Sequence, residues 1–272
     1  MIKAAVLGSP IAHSLSPVIH QSAYRLLGWD WIYERFEVSS GELPKFLAEN
    51  SGIFRGLSLT MPLKEEILPL VDWVSEPAKL TNAVNTVVFG DLGSSGFNTD
   101  IQGFQDALSM HKVEIPNRAS VIGGGATARS AIAALDGAAK TIDVYSRSDH
   151  RAKGLVNSAR SSIVEIHSWD EVANALTNEL VIATTPTGVT DSVEVKKAEG
   201  VLFESLYNPW PTKLLANWRA AGGFGIDGLD LLIWQAIGQL EVMSFSDPAV
   251  MAEKDELYQN MRADALRALA SK

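Results

Sequence analysis

Apolar residues recur along this chain in two rhythms. Short apolar runs at Ala4 to Leu7, Trp31 to Val38, Gly56 to Thr60 and Val84 to Phe89 alternate with stretches of helical spacing, such as Pro17 to Leu27 and Leu43 to Asn50. Runs of the first kind fit strands and those of the second fit amphipathic helices, so the first hundred residues predict a βαβ construction. Ser16 followed by Pro17 predicts where the first helix begins. The Ser oxygen can take a free helix amide, and Pro lacks the N–H that would go unbonded in the first turn.

A second alternating block opens at Ser120-Val121-Ile122 and continues through Thr141 to Tyr145, Ile163 to Ile166, Leu180 to Ala183, Val201 to Phe203 and Phe224 to Ile226, with helical segments expected between them. That spacing is the pattern of a doubly wound parallel sheet, whose ligands lie at the carboxyl ends of the strands. From Leu231 apolar positions recur at helical spacing to Phe245, and Asp247-Pro248 introduces a further amphipathic helix reaching Leu269. The second sheet is complete before these helices begin. They are therefore expected to return to the first lobe and leave a cleft between two lobes. The fold class is α/β in two lobes, a βαβ lobe and a Rossmann-like doubly wound dinucleotide-binding lobe.

Length agrees with two lobes: 272 residues exceed the roughly 100–200 typical of one domain. The chain is 46% hydrophobic and 20% charged, and none of its apolar runs approaches the roughly 18 residues that span a bilayer, which argues against membrane insertion. The apolar opening, Ala4 to Leu7, is cut short by Ser9-Pro10 and reads as a buried strand rather than a cleaved signal. Without cysteine the chain has neither a disulfide framework nor a thiolate metal site, which suits a cytoplasmic protein. Its net charge of -9 argues against a nucleic-acid surface, which needs an excess of Lys and Arg.

The chemistry gathers at a few places. Gly123-Gly124-Gly125-Ala126 follows a strand and opens a helix, so backbone amides and the positive end of the helix can meet a pyrophosphate. The next strand ends in Tyr145-Ser146-Arg147-Ser148, where dinucleotide folds meet the adenosine ribose. An arginine between hydroxyls there suits the 2′-phosphate of NADP rather than NAD. Equally, Arg147 reads as a solvated loop residue, with Asp143 and Asp149 near enough to serve a ribose hydroxyl. Arg129 reads either as part of the phosphate pocket or as an exposed helix residue.

Lys64, just past Thr60-Met61-Pro62, and Asp100, within Asn98-Thr99-Asp100, supply a proton donor and a carboxylate among small amides and hydroxyls. Taken singly, Lys64 fits an exposed first turn and Asp100 fits a helix cap. Ser14 and Ser16 stand two residues apart at a helix start, a geometry that accepts a carboxylate. Ser16 also reads as a cap, whereas Ser14 has no evident capping duty. His13 and His20 read as structural, because neither has a companion at metal-ligand spacing. No metal is implied.

Taken in order, Gly8-Ser9-Pro10 through His20, Leu59 to Lys64, Ala83 to Thr86, Asn98-Thr99-Asp100, the glycine turn, Tyr207 to Thr212 and Gly228 to Gln235 resemble the shikimate dehydrogenase family along nearly the whole chain. The resemblance implies a substrate-binding catalytic domain from residues 1–102 and 240–272, and an NADP-binding Rossmann-like domain from 103–239. It implies reversible NADPH-dependent reduction of 3-dehydroshikimate to shikimate, in a cytoplasmic monomer or homodimer. Carried onto this chain, Lys64 and Asp100 would flank the reacting oxygen. Ser14 and Ser16 would hold the ring carboxylate, and Thr60, Asn85 and Gln235 would bind ring hydroxyls or the carboxylate. Tyr207 would line the substrate pocket. The cofactor would be met by Gly123, Gly124, Gly125, Ala126, Ser146, Arg147, Ser148, Thr185 and the backbone of Gly228.

Ser58, where the family commonly has Asn, and Ser146-Arg147-Ser148, where it commonly has Asn-Arg-Thr, depart from the family pattern. The first leaves room for another ring acid and the second for NAD, as in a quinate/shikimate dehydrogenase. Methylenetetrahydrofolate dehydrogenase has a similar two-lobe plan but lacks the Ser-x-Ser-Pro and Asn-Thr-Asp patterns. Intact Lys64 and Asp100 argue against a non-catalytic shikimate-binding regulator.

Overall fold

The computed structural model describes residues 1–271, the side chain of Asp149 excepted. The chain divides into two compact units, Met1–Thr99 with Ile233–Lys272, and Asp100–Leu232.

The first unit runs through β1 (Ile2–Gly8), α1 (Ser16–Leu27), β2 (Trp31–Glu37), α2 (Leu43–Glu49), β3 (Gly56–Leu59), α3 (Leu63–Glu66), β4 (Trp73–Val74), α4 (Glu76–Thr81), β5 (Thr86–Gly90) and β6 (Gly93–Phe97). Its sheet has the order β2-β1-β3-β5-β6-β4. β1 lies parallel to β2 and β3 as a βαβ construction requires, but β5 is antiparallel to both β3 and β6. The βαβ expectation fails at this hairpin. Only Asp91 and Leu92 join Gly90 to Gly93, which has φ 109°, and so short a link cannot hold the crossover that a parallel pair needs. β6 itself, Gly-Ser-Ser-Gly-Phe, carries no apolar rhythm to announce it. The core against this sheet joins Leu7, Leu57 and Leu59 to Leu43, Leu63 and Ile67, with Phe36 and Phe46 at its margin.

The helix α1 starts at Ser16 but is not capped by it. Leu15 holds the cap position, and Ser14 Oγ accepts the Ser16 N–H at 3.3 Å. Ser14 therefore carries the capping duty expected of Ser16, because Ser16 has already entered the helix and Pro17, which has no N–H, follows at the next position.

The second unit contains α5 (Asp100–Met110), β7 (Arg118–Ile122), α6 (Ala126–Leu135), β8 (Thr141–Ser146), α7 (Ala152–Val156), β9 (Ile163–Ser168), β10 (Leu180–Ala183), β11 (Val201–Glu204), α8 (Lys213–Ala220), β12 (Phe224–Ile226) and the first turn of α9 (Gly228–Met243). All its strand pairs are parallel, in the order β12-β11-β10-β7-β8-β9. The order reverses at β7, which lies between β8 and β10, and in such sheets the crevice beyond the carboxyl ends at the reversal takes the ligand. Helices do not separate every strand here. Residues 184–200, which open with Thr-Thr-Pro-Thr-Gly, run between β10 and β11 without a helix among the described residues, since Pro and Gly break one early.

The rest of α9 belongs to the first unit, with α10 (Pro248–Ala252) and α11 (Lys254–Ala270). Asp247 Oδ1 caps α10 through the Ala249 N–H. An Arg25–Asp264 ion pair joins α11 to α1. No helix among the described residues is long and apolar enough to cross a membrane.

Candidate active site

In the first unit the ends of β1 and β3 are pressed together. A Cβ at Gly8 would lie 2.3 Å from Thr60 Cγ2, so only glycine lets the strand end come this close. Ser9 N–H then donates to the Met61 carbonyl at 2.9 Å, and Thr60 N–H to that of Leu7 at 2.9 Å. The Ser9–Ser16 loop is thereby held beside the segment that leads into α3. Lys64 is the second residue of α3 and half-buried, and its carbonyl accepts the Val84 N–H at 2.8 Å.

One residue on lies Asn85, 1% exposed. Its Nδ2 donates to Thr99 Oγ1 at 2.9 Å, while its Oδ1 accepts the Thr99 N–H at 2.9 Å and the Thr86 hydroxyl at 2.8 Å. A longer contact of 3.5 Å reaches Gln235 Oε1. Asn85, Thr99 and Gln235 thus form one buried amide and hydroxyl cluster. Asp100, also buried, is the next residue along the chain and opens α5. Ser16 is buried at the start of α1, and Ser14 is half-buried beside it.

In the second unit the glycine turn sits at the strand-order reversal. Gly123 has φ 137°, and a Cβ there would fall 2.2 Å from Thr184 Oγ1; at Gly124 it would fall 2.4 Å from Ser146 Oγ. The turn is packed between the ends of β10 and β8 with no room for a side chain. Gly125 at the cap of α6 has no side chain to bond the first amides, which leaves them suited to an anion. These features fit a dinucleotide pyrophosphate. Ser146 Oγ accepts the Ser148 N–H at 3.3 Å, and Arg147 is exposed, with its guanidinium 5.7 Å from the centre of the Trp169 ring. Thr185 is buried just past β10.

The second unit changes two of the sequence readings. Arg129 is 6% exposed, so it is not a surface helix residue. Asp143 does not face a ribose: it lies within β8, bound by Arg118 through two 2.6 Å hydrogen bonds, by His167 at 2.7 Å and by Asn178 at 3.1 Å. Burial pushes this carboxyl up, but the Arg118, His167 and Asn178 hydrogen bonds outweigh it and hold it below the usual carboxylate range. Asp143, Glu165 and His167 lie close enough to suggest a cation site, yet Arg118 pairs with both carboxylates and supplies the positive charge. The Asp149 side chain lies outside the described residues.

Two residues emerge only from the structure. Arg151 Nη1 donates to the Gly124 carbonyl at 3.4 Å, which brings a second cation to the glycine turn; its signal in the sequence is a spacing of four from Arg147. Glu204, at the end of β11, accepts the Leu206 N–H at 3.2 Å and the Thr212 hydroxyl at 3.0 Å. Burial pushes its carboxyl up to about 7, with the Leu206, Thr212 and Ser205 hydrogen bonds opposing. Thr212 in turn caps α8 through the Leu215 N–H at 3.2 Å, so Glu204 ties both ends of the loop that carries half-buried Tyr207. Gly228 lies against the same loop: a Cβ there would be 2.4 Å from the Leu206 carbonyl.

These features define an α/β protein of two units, one of them a doubly wound sheet with a dinucleotide-type turn. Residues 6–87 match the model of the shikimate dehydrogenase substrate binding domain. The NADP-dependent shikimate dehydrogenase of Thermus thermophilus is 34% identical over 255 residues, 93% of this chain and 97% of that protein. The structure of Mycobacterium tuberculosis shikimate dehydrogenase superposes with a TM-score of 0.84 at 33% identity, covering 98% of this chain and 100% of that one. A Thermus thermophilus shikimate 5-dehydrogenase in complex with NADP(H) and shikimate gives a TM-score of 0.80 at 31% identity, covering 97% and 100%. The chain belongs to the shikimate dehydrogenase family.

Proposed function

We propose that this protein is an NADP-dependent shikimate dehydrogenase, reversibly reducing 3-dehydroshikimate to shikimate on the route to the aromatic amino acids. The observation that carries the reading is the buried cluster of Asn85, Thr99 and Gln235. Lys64 is tied to it through Val84, and Asp100 follows directly from Thr99. A lysine and a carboxylate are thus anchored on one set of neutral amides and hydroxyls suited to a polyhydroxylated ring.

NADPH, when bound, supplies the hydride. Charge then develops on the ring oxygen, where the Lys64 ammonium stabilises it and delivers the proton, while Asp100 hydrogen-bonds the same region and orients the lysine. Ser14 and Ser16 hold the ring carboxylate. Thr60, Asn85 and Gln235 bind the remaining polar groups, and Tyr207 lines the pocket. The amides of Gly123 to Ala126 would receive the pyrophosphate. Ser146, Arg147, Ser148 and Arg151 would hold the 2′-phosphate, and Thr185 and the Gly228 backbone would meet the nicotinamide portion. The substrate-binding domain then comprises residues 1–102 and 240–272 and the nucleotide-binding domain 103–239, the latter also supplying Tyr207 and Gln235 to the substrate, in a cytoplasmic monomer or homodimer.

Steady-state rates for shikimate and quinate, each with NADP and NAD, test the proposal. The pair of shikimate and NADP is expected to give the highest kcat/KM. Preference for NAD or for quinate would reassign the specificity, and no turnover with any pair would refute the reading.

A further inference from the structure

Behind the ring-acid groups of the first unit lies a second polar chain. Tyr33 donates its hydroxyl proton to Ser58 Oγ at 2.6 Å, and Ser58 donates to Gln239 Oε1 at 2.8 Å. The Tyr33 ring stacks on His20, centroids 3.9 Å apart and planes 16° from parallel. His20 Nδ1 lies 2.9 Å from the Ser16 carbonyl. A carbonyl only accepts, so Nδ1 carries the proton and Nε2 is left as a lone pair. That nitrogen is buried without a well-formed partner, and the side chain facing it is Gln239. With its oxygen committed to Ser58, Gln239 has its NH2 group left to turn there.

All four side chains are buried, and each end of the chain meets an element that carries a proposed ligand. Ser16, which accepts from His20, is itself one of them. Ser58 lies two residues before Thr60 at the end of β3. Gln239 lies one turn after Gln235 on α9, on the same face of that helix. A buried polar chain of this kind specifies one geometry where apolar side chains would allow several.

We propose that Gln239 is a positioning residue: through Ser58, Tyr33 and His20 it sets the spacing among Ser16, Thr60 and Gln235, and so governs affinity for the ring acid without touching it. The inference rests on the function proposed above. Gln239 reaches neither Lys64 nor the glycine turn by any hydrogen bond described, so its influence falls on shikimate binding rather than on proton delivery or nucleotide binding.

The test is Gln239→Leu, which keeps the side chain's bulk and removes its hydrogen bonds. Its KM for shikimate should rise about tenfold, the loss expected from roughly one buried hydrogen bond. The kcat and the KM for NADP should stay within about twofold, and shikimate alone should raise the melting temperature less than it does in the parent. Tyr33→Phe, which deletes one oxygen, should show the same split at about two- to threefold, and serves if the leucine variant does not fold. Combining the two should add little, because the chain is already broken. A lower melting temperature with unchanged KM for shikimate, or equal losses in kcat and both KM values, would overturn the proposal while leaving the functional reading intact. A parent enzyme that neither turns over shikimate nor is stabilised by it would end both.

Discussion

His20 and Glu204 are buried titratable side chains, one in each unit, and burial moves them in opposite directions. The His20 ring is driven down to about 4, because the desolvation of a cation outweighs its hydrogen bonds; the Glu204 carboxyl is pushed up to about 7. In both cases the low-dielectric interior favours the uncharged form. The surroundings differ in what they do with the polarity. The first unit places His20 among neutral partners, Tyr33, Ser58, Gln239 and the Ser16 carbonyl, so its interior recognises by geometry. The second unit spends acids on tethering: Asp143 binds strand neighbours and Glu204 fastens a loop. Neutral donors suit a ring studded with hydroxyls, whereas the second unit carries the exposed cations Arg147 and Arg151, which the proposed function assigns to phosphate.

The sharpest division between the two units should appear with Lys64→Ala. Loss of its acid role should lower kcat by about 10²–10⁴-fold with little change in either KM. Equal losses in kcat and in shikimate affinity would make Lys64 a binding group instead, and would blur the separation of neutral recognition from charged chemistry.

The two buried groups give the next largest effect, in stability against pH. The unfolded state protonates His20 near 6.5 while the folded state resists until about 4, so stability is lost as pH falls from 6.5 toward 4. For Glu204 the folded state holds its proton to about 7 against an ordinary 4.5. Stability is therefore lost as pH rises from 4.5 through 7. Each slope amounts to about 3 kcal/mol at most, at 1.36 kcal/mol per pKa unit. Urea unfolding across pH 4 to 8 should show His20→Gln flattening the acid side and Glu204→Gln flattening the neutral side. Variants that left both slopes unchanged would mean that neither side chain titrates as its burial demands.

The smallest effect concerns Arg151. Replacing it by Ala removes one exposed cation at the glycine turn and should raise the KM for NADP about tenfold while barely changing that for NAD, because only the former carries a 2′-phosphate. Equal weakening of both nucleotides would place Arg151 at the pyrophosphate instead.

Much of this architecture is legible in the residues alone. The strands of the parallel sheet announce themselves as apolar runs, and β10 and β12 coincide with the runs read at Leu180 to Ala183 and Phe224 to Ile226. β6 does not, because its five residues pair through backbone with hardly any apolar pattern. Ser14 rather than Ser16 takes the amide because a one-residue shift in the helix start decides which hydroxyl meets a free amide. Asp143 looked available to a ribose because its partner Arg118 comes from the neighbouring strand, a contact no local pattern reveals. Glu204 ends an apolar strand and Gln239 is one of several polar positions on α9, and only their buried partners give them a task.

The close approach of Gly124 to Ser146 limits how nucleotide preference can be redesigned. An acid introduced at position 146 to favour a bare ribose would need room beyond Ser146 Oγ, where even the Cβ of an alanine at 124 would come within 2.4 Å. Retargeting the enzyme toward NAD is better begun at Arg147, whose exposed side chain leaves space for a shorter carboxylate.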